Sequence, residues 1–143
     1  MAQERIDPNS GRYLPILYPE EAPFWEGARK HKLLLQRCRP CNKTWYPIGP
    51  VCPSCLSEDL EWVEVSGKGT ITSFVVYHKG WIQWFQERVP YAVVQVQLEE
   101  GPRLTTNLLD TPVSSIKVGM PVEAAYEKVN DEITLVQFRP SAS

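Results

Sequence analysis

The sequence has no run of about 18 apolar residues, so it offers no helix able to cross a bilayer. Its opening stretch, MAQERIDPNSGRYLP, has neither the apolar centre of a secretion signal nor the Arg-rich, acid-poor texture of a transit peptide, and the expected compartment is the cytoplasm. A basic excess is missing too: 15 Lys and Arg stand against 17 Asp and Glu. That balance counts against a protein whose main partner is a phosphate backbone. Histidine is scarce, with only His31 and His78. The sequence contains no Gly-rich phosphate loop, no HExxH and no nucleophile elbow. Long helices are disfavoured by 13 prolines in 143 residues, because proline breaks a helix interior. What remains is a chain of one-domain size whose 43% hydrophobic content and five Trp can build a packed core.

Cysteine is also absent from most of the chain. All four residues fall in one short stretch, as Cys38-Arg-Pro-Cys41 and Cys52-Pro-Ser-Cys55. Each C-x2-C turn presents two thiolates on one side of a knuckle, and two facing knuckles supply the tetrahedral S4 set that Zn(II) accepts. Structural zinc is the expected ion. Iron is the competing reading, since paired knuckles of this kind also occur in rubredoxin-type centres; disulfides would need an oxidising compartment. Asn42 suits a left-handed position closing the first knuckle, whereas Leu56 does not suit the equivalent place, so the second knuckle is expected to close differently. Arg37, Arg39 and Lys43 are expected to offset the net negative charge of a Zn(Cys)4 site. With every thiol assigned to metal, no Cys is left as an acyl-transfer nucleophile. His31, in a basic helix, and His78, at a strand end, are read as structural or solvent-facing, and no catalytic residue is assigned.

The rest of the chain reads as mainly β. Residues 1–18 are polar and proline-punctuated and are read as an extended arm. Residues 19–66 are read as an N-terminal helix, near 21–31, followed by a rubredoxin-like zinc ribbon with strands around Leu33 and Thr44. Residues 67–143 are read as an OB-fold domain. Five β-rich segments there (70–78, 91–98, 103–108, 122–129 and 133–138) are joined by Gly/Pro turns, which suggests a small closed or nearly closed barrel. Trp25, Trp45 and Trp62 are assigned to the core.

Two features point towards a binding role. Between Gly27 and Ser57 there are six basic residues and no acid. Separately, Trp81-Ile82-Gln83-Trp84-Phe85 is too apolar for a simple loop, and is read either as a cap on the barrel mouth or as an exposed patch. Arg29, Lys30 and Lys32 with Trp81, Trp84 and Phe85 are therefore the candidate contacts for a partner or for coenzyme A, since aromatic and Arg anchors with a cationic rim are the usual elements of such surfaces. A second class of function stays open: ribbon and OB modules also hold single-stranded nucleic acid, although the barrel half carries no basic excess.

With knuckles and barrel in this order, the chain resembles the zinc-ribbon and OB-fold acyl-CoA-associated proteins. The resemblance is carried by Phe24-Trp25, Lys32-Leu33, Gln36-Arg37-Cys38, Tyr46-Pro47, Cys52-Pro53-Ser54-Cys55, Gly67-Lys68-Gly69-Thr70, Pro90-Tyr91-Ala92, Gly119-Met120-Pro121-Val122 and Phe138-Arg139-Pro140. It implies a non-catalytic accessory subunit in a hetero-oligomer with a thiolase-like, aldolase or hydratase enzyme. Coenzyme A or acyl-CoA would then be met through the partner complex, with the OB domain near the CoA or acyl path. Asn42, where the family would be expected to have Gly, is a mild departure. The Trp81–Phe85 insert is less typical and points to one partner or a bulky acyl chain, such as the benzoylsuccinyl group of anaerobic aromatic degradation.

Overall fold

The computed structural model describes residues 5–141. The first described segment is a small hairpin, β1 (Arg5–Ile6) with β2 (Tyr13–Leu14), closed through Asp7 and Gly11. The expected extended arm is thus folded back over these residues. The Asp7 carboxylate shapes the turn by accepting from the Asn9 N–H and the Ser10 hydroxyl, and Arg12 ties the hairpin to the barrel through two hydrogen bonds to Glu127, at 2.7 and 3.1 Å. A two-pronged Arg–carboxylate pair fixes direction as well as distance.

Helix α1 (Ala22–Arg29) begins with Pro23 in its first turn, where the missing N–H costs nothing, and buries Phe24, Gly27 and Ala28 on one face. It ends in a paired closure: the N–H of His31 bonds Ala28 O at 3.0 Å and the N–H of Lys32 bonds Gly27 O at 2.8 Å. That arrangement puts His31 at φ +58°, a left-handed position usually filled by Gly. Its ring stacks on Tyr126 at 4.9 Å, which gives the histidine a packing contact there.

The ribbon sheet has the order β4 (Thr44–Trp45), β3 (Leu33–Cys38), β5 (Leu60–Val65), all antiparallel. The barrel follows from β6 (Lys68–Tyr77), β7 (Tyr91–Leu98), β8 (Arg103–Asn107), β9 (Pro121–Lys128) and β10 (Thr134–Pro140), in the spatial order β10-β9-β6-β7-β8. Its seam is a parallel bridge between Leu108 and Phe138, supported by Leu109 N–H to Phe138 O at 2.8 Å and by the Thr106 hydroxyl to Val136 O at 3.1 Å. The result is a nearly closed five-stranded OB barrel. Strand β6 serves two neighbours because it bends at an irregularity between Ile71 and Ser73, pairing β9 through residues 68–70 and β7 along most of its length. Gly69 is needed at that crowded corner, since a Cβ there would lie 2.3 Å from the Gln97 carbonyl oxygen. The four-residue helix α2 (Gln83–Gln86) lies between β6 and β7.

One hydrophobic core crosses from ribbon to barrel. Phe24, Leu33, Leu35 and Val65 pack in the same cluster as Ile71, Val94, Val96, Val122 and Phe138. A second, smaller cluster holds Cys38, Cys52 and Trp45, with Leu60 against it. Trp25 and Trp62 are half-buried against the large core. Among the described residues no helix is long and apolar enough to cross a membrane.

Candidate metal centre and partner face

Strand β3 delivers Cys38 to the first knuckle, and β4 returns from it. The Cys38 N–H bonds Lys43 O at 2.9 Å and the Asn42 N–H bonds Cys38 O at 2.8 Å. The second knuckle repeats this pattern, with Cys52 N–H to Ser57 O at 2.9 Å and Leu56 N–H to Cys52 O at 2.9 Å. Asn42 and Leu56 both have φ +61°. The second knuckle therefore closes as the first does, against the expectation drawn from Leu56. The hydrogen-bond geometry sets the backbone, and the exposed Leu56 side chain pays the strain of a left-handed position.

The four sulfurs lie within 4.8 Å of one another, with Cys38 to Cys55 at 3.4 Å and Cys41 to Cys52 at 3.6 Å. A tetrahedral Zn–S4 centre with bonds of about 2.3 Å has sulfur–sulfur edges of roughly 3.8 Å, so the cage has the size zinc requires. Cys38 and Cys52 are fully buried, while Cys41 and Cys55 form the outer side. Without metal, burial and the neighbouring sulfurs push the Cys38 thiol up to about 12. Burial also acts to raise Cys52, but it is outweighed by the amide N–H groups of Cys55 and Ser54 and by the sulfur neighbours, which bring it down to about 6. The Ser54 N–H lies 3.4 Å from the Cys52 sulfur. The second knuckle's amides thus favour a thiolate at Cys52, while a cation bound by all four sulfurs must displace the Cys38 proton.

Each of the basic neighbours has a hydrogen-bond partner of its own. Arg37 bonds Glu61 at 2.7 Å, Arg39 bonds Asp59 at 2.7 Å, and Lys43 bonds the Ser54 hydroxyl at 2.8 Å. Strand β5 carries Glu61 beside Arg37, so two of the acids that the sequence places after the knuckles, Asp59 and Glu61, pair with Arg39 and Arg37. The amide donors of the knuckles supply the local stabilisation of the thiolates.

The candidate partner residues fall into two groups. Arg29 donates to the Glu132 carbonyl at 2.8 Å and so ties α1 to the turn between β9 and β10. Lys30 and Lys32 are exposed beside it. Trp81 is 72% exposed, with the Lys79 ammonium 4.2 Å from its ring centroid. Trp84 is half-buried between two guanidinium groups, Arg12 at 4.3 Å and Arg88 at 3.2 Å. Phe85 stacks on Tyr91 at 4.3 Å, and Tyr91 in turn on Tyr77 at 5.2 Å. His31, next to Lys30, contacts Tyr126, whereas Arg12 and Trp84 gather at Glu127. Successive side chains of a strand point to opposite faces, so the basic and aromatic groups approach β9 from different sides. His78 is exposed at the end of β6. Arg12 was not legible as a site residue: its partner lies 115 positions away and no local pattern marks it.

Comparison with known proteins places this geometry. Residues 25–61 match the family model described as the ChsH2 rubredoxin-like zinc ribbon domain, and residues 62–127 match the ChsH2 C-terminal OB-fold domain. A solved structure of the Ltp2-ChsH2(DUF35) aldolase superposes with a TM-score of 0.79 at 38% identity, covering 89% of this chain and 98% of that one. The Thermomonospora curvata protein named "Probable enoyl-CoA hydratase alpha subunit" is 37% identical over 139 residues, 97% of this chain. This chain spans 43% of the length of that relative. A DUF35 domain-containing scaffold protein of Pyrococcus furiosus is 33% identical, over 82% of this chain and 90% of its own length. The benzoylsuccinyl-CoA thiolase subunit BbsA of Thauera aromatica is 27% identical over 72% of this chain and 71% of its own. A four-cysteine ribbon positioned for zinc, leading directly into an OB barrel, makes this chain a member of the ChsH2-type zinc-ribbon and OB-fold (DUF35) family.

Proposed function

We propose that this chain is a non-catalytic accessory subunit that binds and supports a thiolase-like, aldolase or hydratase enzyme acting on acyl-CoA. The observation that carries this reading is the gathering of all four thiols in one metal cage, which leaves no cysteine to form a thioester. Support also comes from the aldolase structure, whose matching chain is covered almost entirely. In this reading Cys38, Cys41, Cys52 and Cys55 hold a structural zinc. Lys30, Lys32 and the exposed Trp81 contribute to docking, and the OB domain lies beside the CoA or acyl path. The acyl group is bulky and aromatic, as in benzoylsuccinyl-CoA; the aromatic cluster at Tyr77, Phe85 and Tyr91 and the likeness to BbsA favour that choice.

The test is purification of the native complex at low salt, with each component identified by mass. The expected result is a fixed ratio of this chain to a thiolase-like, aldolase or hydratase subunit, with acyl-CoA turnover requiring both. Turnover by the zinc-loaded chain alone would overturn the non-catalytic role. Recovery of the chain with single-stranded nucleic acid in place of an enzyme would replace the reading altogether.

A further inference from the structure

A cavity of about 320 Å³ opens at the barrel mouth beneath α2. Its walls are mixed: Phe85, Tyr91, Leu108 and Val113 give an apolar and aromatic side, and charged and polar side chains line the rest. Gln137 of β10 also lines it, is 6% exposed, and has a side-chain oxygen without a hydrogen-bond partner. An unpaired buried acceptor is costly, and a buried carboxamide normally finds a donor. Asn107, Arg12, Glu127 and Arg88 are already engaged, while Asp110 is exposed to solvent and Thr111 is half-buried. Asn107 donates to Ala92 O at 3.0 Å, Arg12 is held by Glu127, and Arg88 lies flat on Trp84 while donating to its carbonyl at 2.7 Å. The charges of the wall, Arg12 and Arg88 against Glu127 and Asp110, balance. A phosphate or carboxylate finds no surplus cation here.

We propose that this cavity is a binding site for a flat, uncharged ring carrying an N–H or O–H donor, which stacks against the Phe85–Tyr91 wall and donates to Gln137. Concave sites of about this size, in which apolar and aromatic walls carry fixed polar groups, are where small molecules usually bind. Two sources share the chemistry: the purine of a nucleotide-containing cofactor and the hydroxylated ring of an aromatic substrate. The site deepens the proposed acyl-CoA role and rests on it for the identity of the two sources, while binding by the chain without partner is tested separately from assembly.

The experiment uses the isotope-labelled, zinc-loaded full chain without partner. Adenosine is compared with purine riboside, and phenol with toluene, following backbone amide shifts at Ala92 and Leu109 and the side-chain amide of Gln137. A donor-bearing probe should bind roughly tenfold tighter than its donor-less analogue, about the worth of one hydrogen bond to a group otherwise left unpaired. Preference for adenosine would point to the cofactor base, and preference for phenol to the substrate ring. Gln137→Met should erase the preference while leaving the melting temperature unchanged or raised. Val113→Trp, which adds bulk to the cavity wall, should abolish binding of both members of each pair. The proposal falls if no probe shifts these amides, if Gln137→Met retains the preference, or if a crystal soaked with the probes shows only an ordered water on the Gln137 oxygen.

Discussion

The ribbon and the barrel are joined by a shared core but held together by different forces, and strand β3 shows where one gives way to the other. Its first half, Leu33 and Leu35, is buried in the large hydrophobic cluster with barrel residues. Its last residue, Cys38, belongs to the small cluster, where two cysteines, Trp45 and Leu60 make up nearly all the packing. The far end of the ribbon is too small to keep itself folded by burial, and the metal stands in for the missing core. The barrel has no such dependence: β7 buries Ala92, Val94, Val96 and Leu98 on one face, and β10 adds Phe138.

The comparison can be broken most directly by taking the metal away. Chelation, or Cys38→Ser, should unfold residues 38–60, with complete loss of amide protection there and changed Trp45 fluorescence. Amides of β7 should stay protected, and pairing should persist at the Leu33–Val65 end of the ribbon sheet. If barrel and knuckles instead lose protection together, the division along β3 is wrong. Acid should act like chelation, because thiolates must take up protons as the metal leaves.

Next in size is Phe138→Ala. This fully buried ring sits at the barrel seam, and its loss should cost about 3–5 kcal/mol, read as a fall in the denaturation midpoint. The stoichiometry of bound zinc should not change in the protein that remains folded. A smaller effect belongs to Arg12→Ala, which removes two charge-assisted hydrogen bonds and leaves Glu127 unpaired. A loss of about 1.5–3 kcal/mol is expected, with protection falling in the N-terminal hairpin and at Trp84 but not in the ribbon. The smallest is Arg37→Ala. That partly exposed pair with Glu61 should contribute less than about 1 kcal/mol, and a difference that shrinks with added salt would confirm its surface character.

How much of this was legible in the sequence depended on the range of the interactions. The metal cage is local, and four cysteines at knuckle spacing name their own partners. Strand β7 could be placed without error because Val94, Val96 and Leu98 alternate with Gln95 and Gln97. Strand β5 was missed, since Leu-Glu-Trp-Val-Glu-Val has two acids among its six residues; its pairing with β3 sets Glu61 beside Arg37, which no one-dimensional pattern shows. Leu56 was misread because propensity opposes a left-handed leucine, and the knuckle's hydrogen bonds override it. The basic stretch was seen, but the acids that pair with Arg37 and Arg39 are Glu61 on β5 and Asp59 just before it. The hairpin at Arg5–Leu14 has a local turn signal in Asp7-Pro8-Asn9-Ser10-Gly11 that was passed over, and only its anchor on β9 lies beyond any local pattern.

That anchor also sets an order in time. Arg12 and Glu127 are separated by 115 positions, so at ordinary rates of translation, roughly 5–20 residues per second, Arg12 waits on the order of ten seconds before its carboxylate exists. The four sulfurs lie within a few turns of chain from one another and are complete long before that. A nascent chain can therefore carry a finished metal knuckle while its first hairpin is still loose and the stacking position over Trp84 is open. Whatever binds the growing chain early meets the knuckles formed, the Leu33–Val65 end of the ribbon still without its barrel core, and the barrel mouth unlatched.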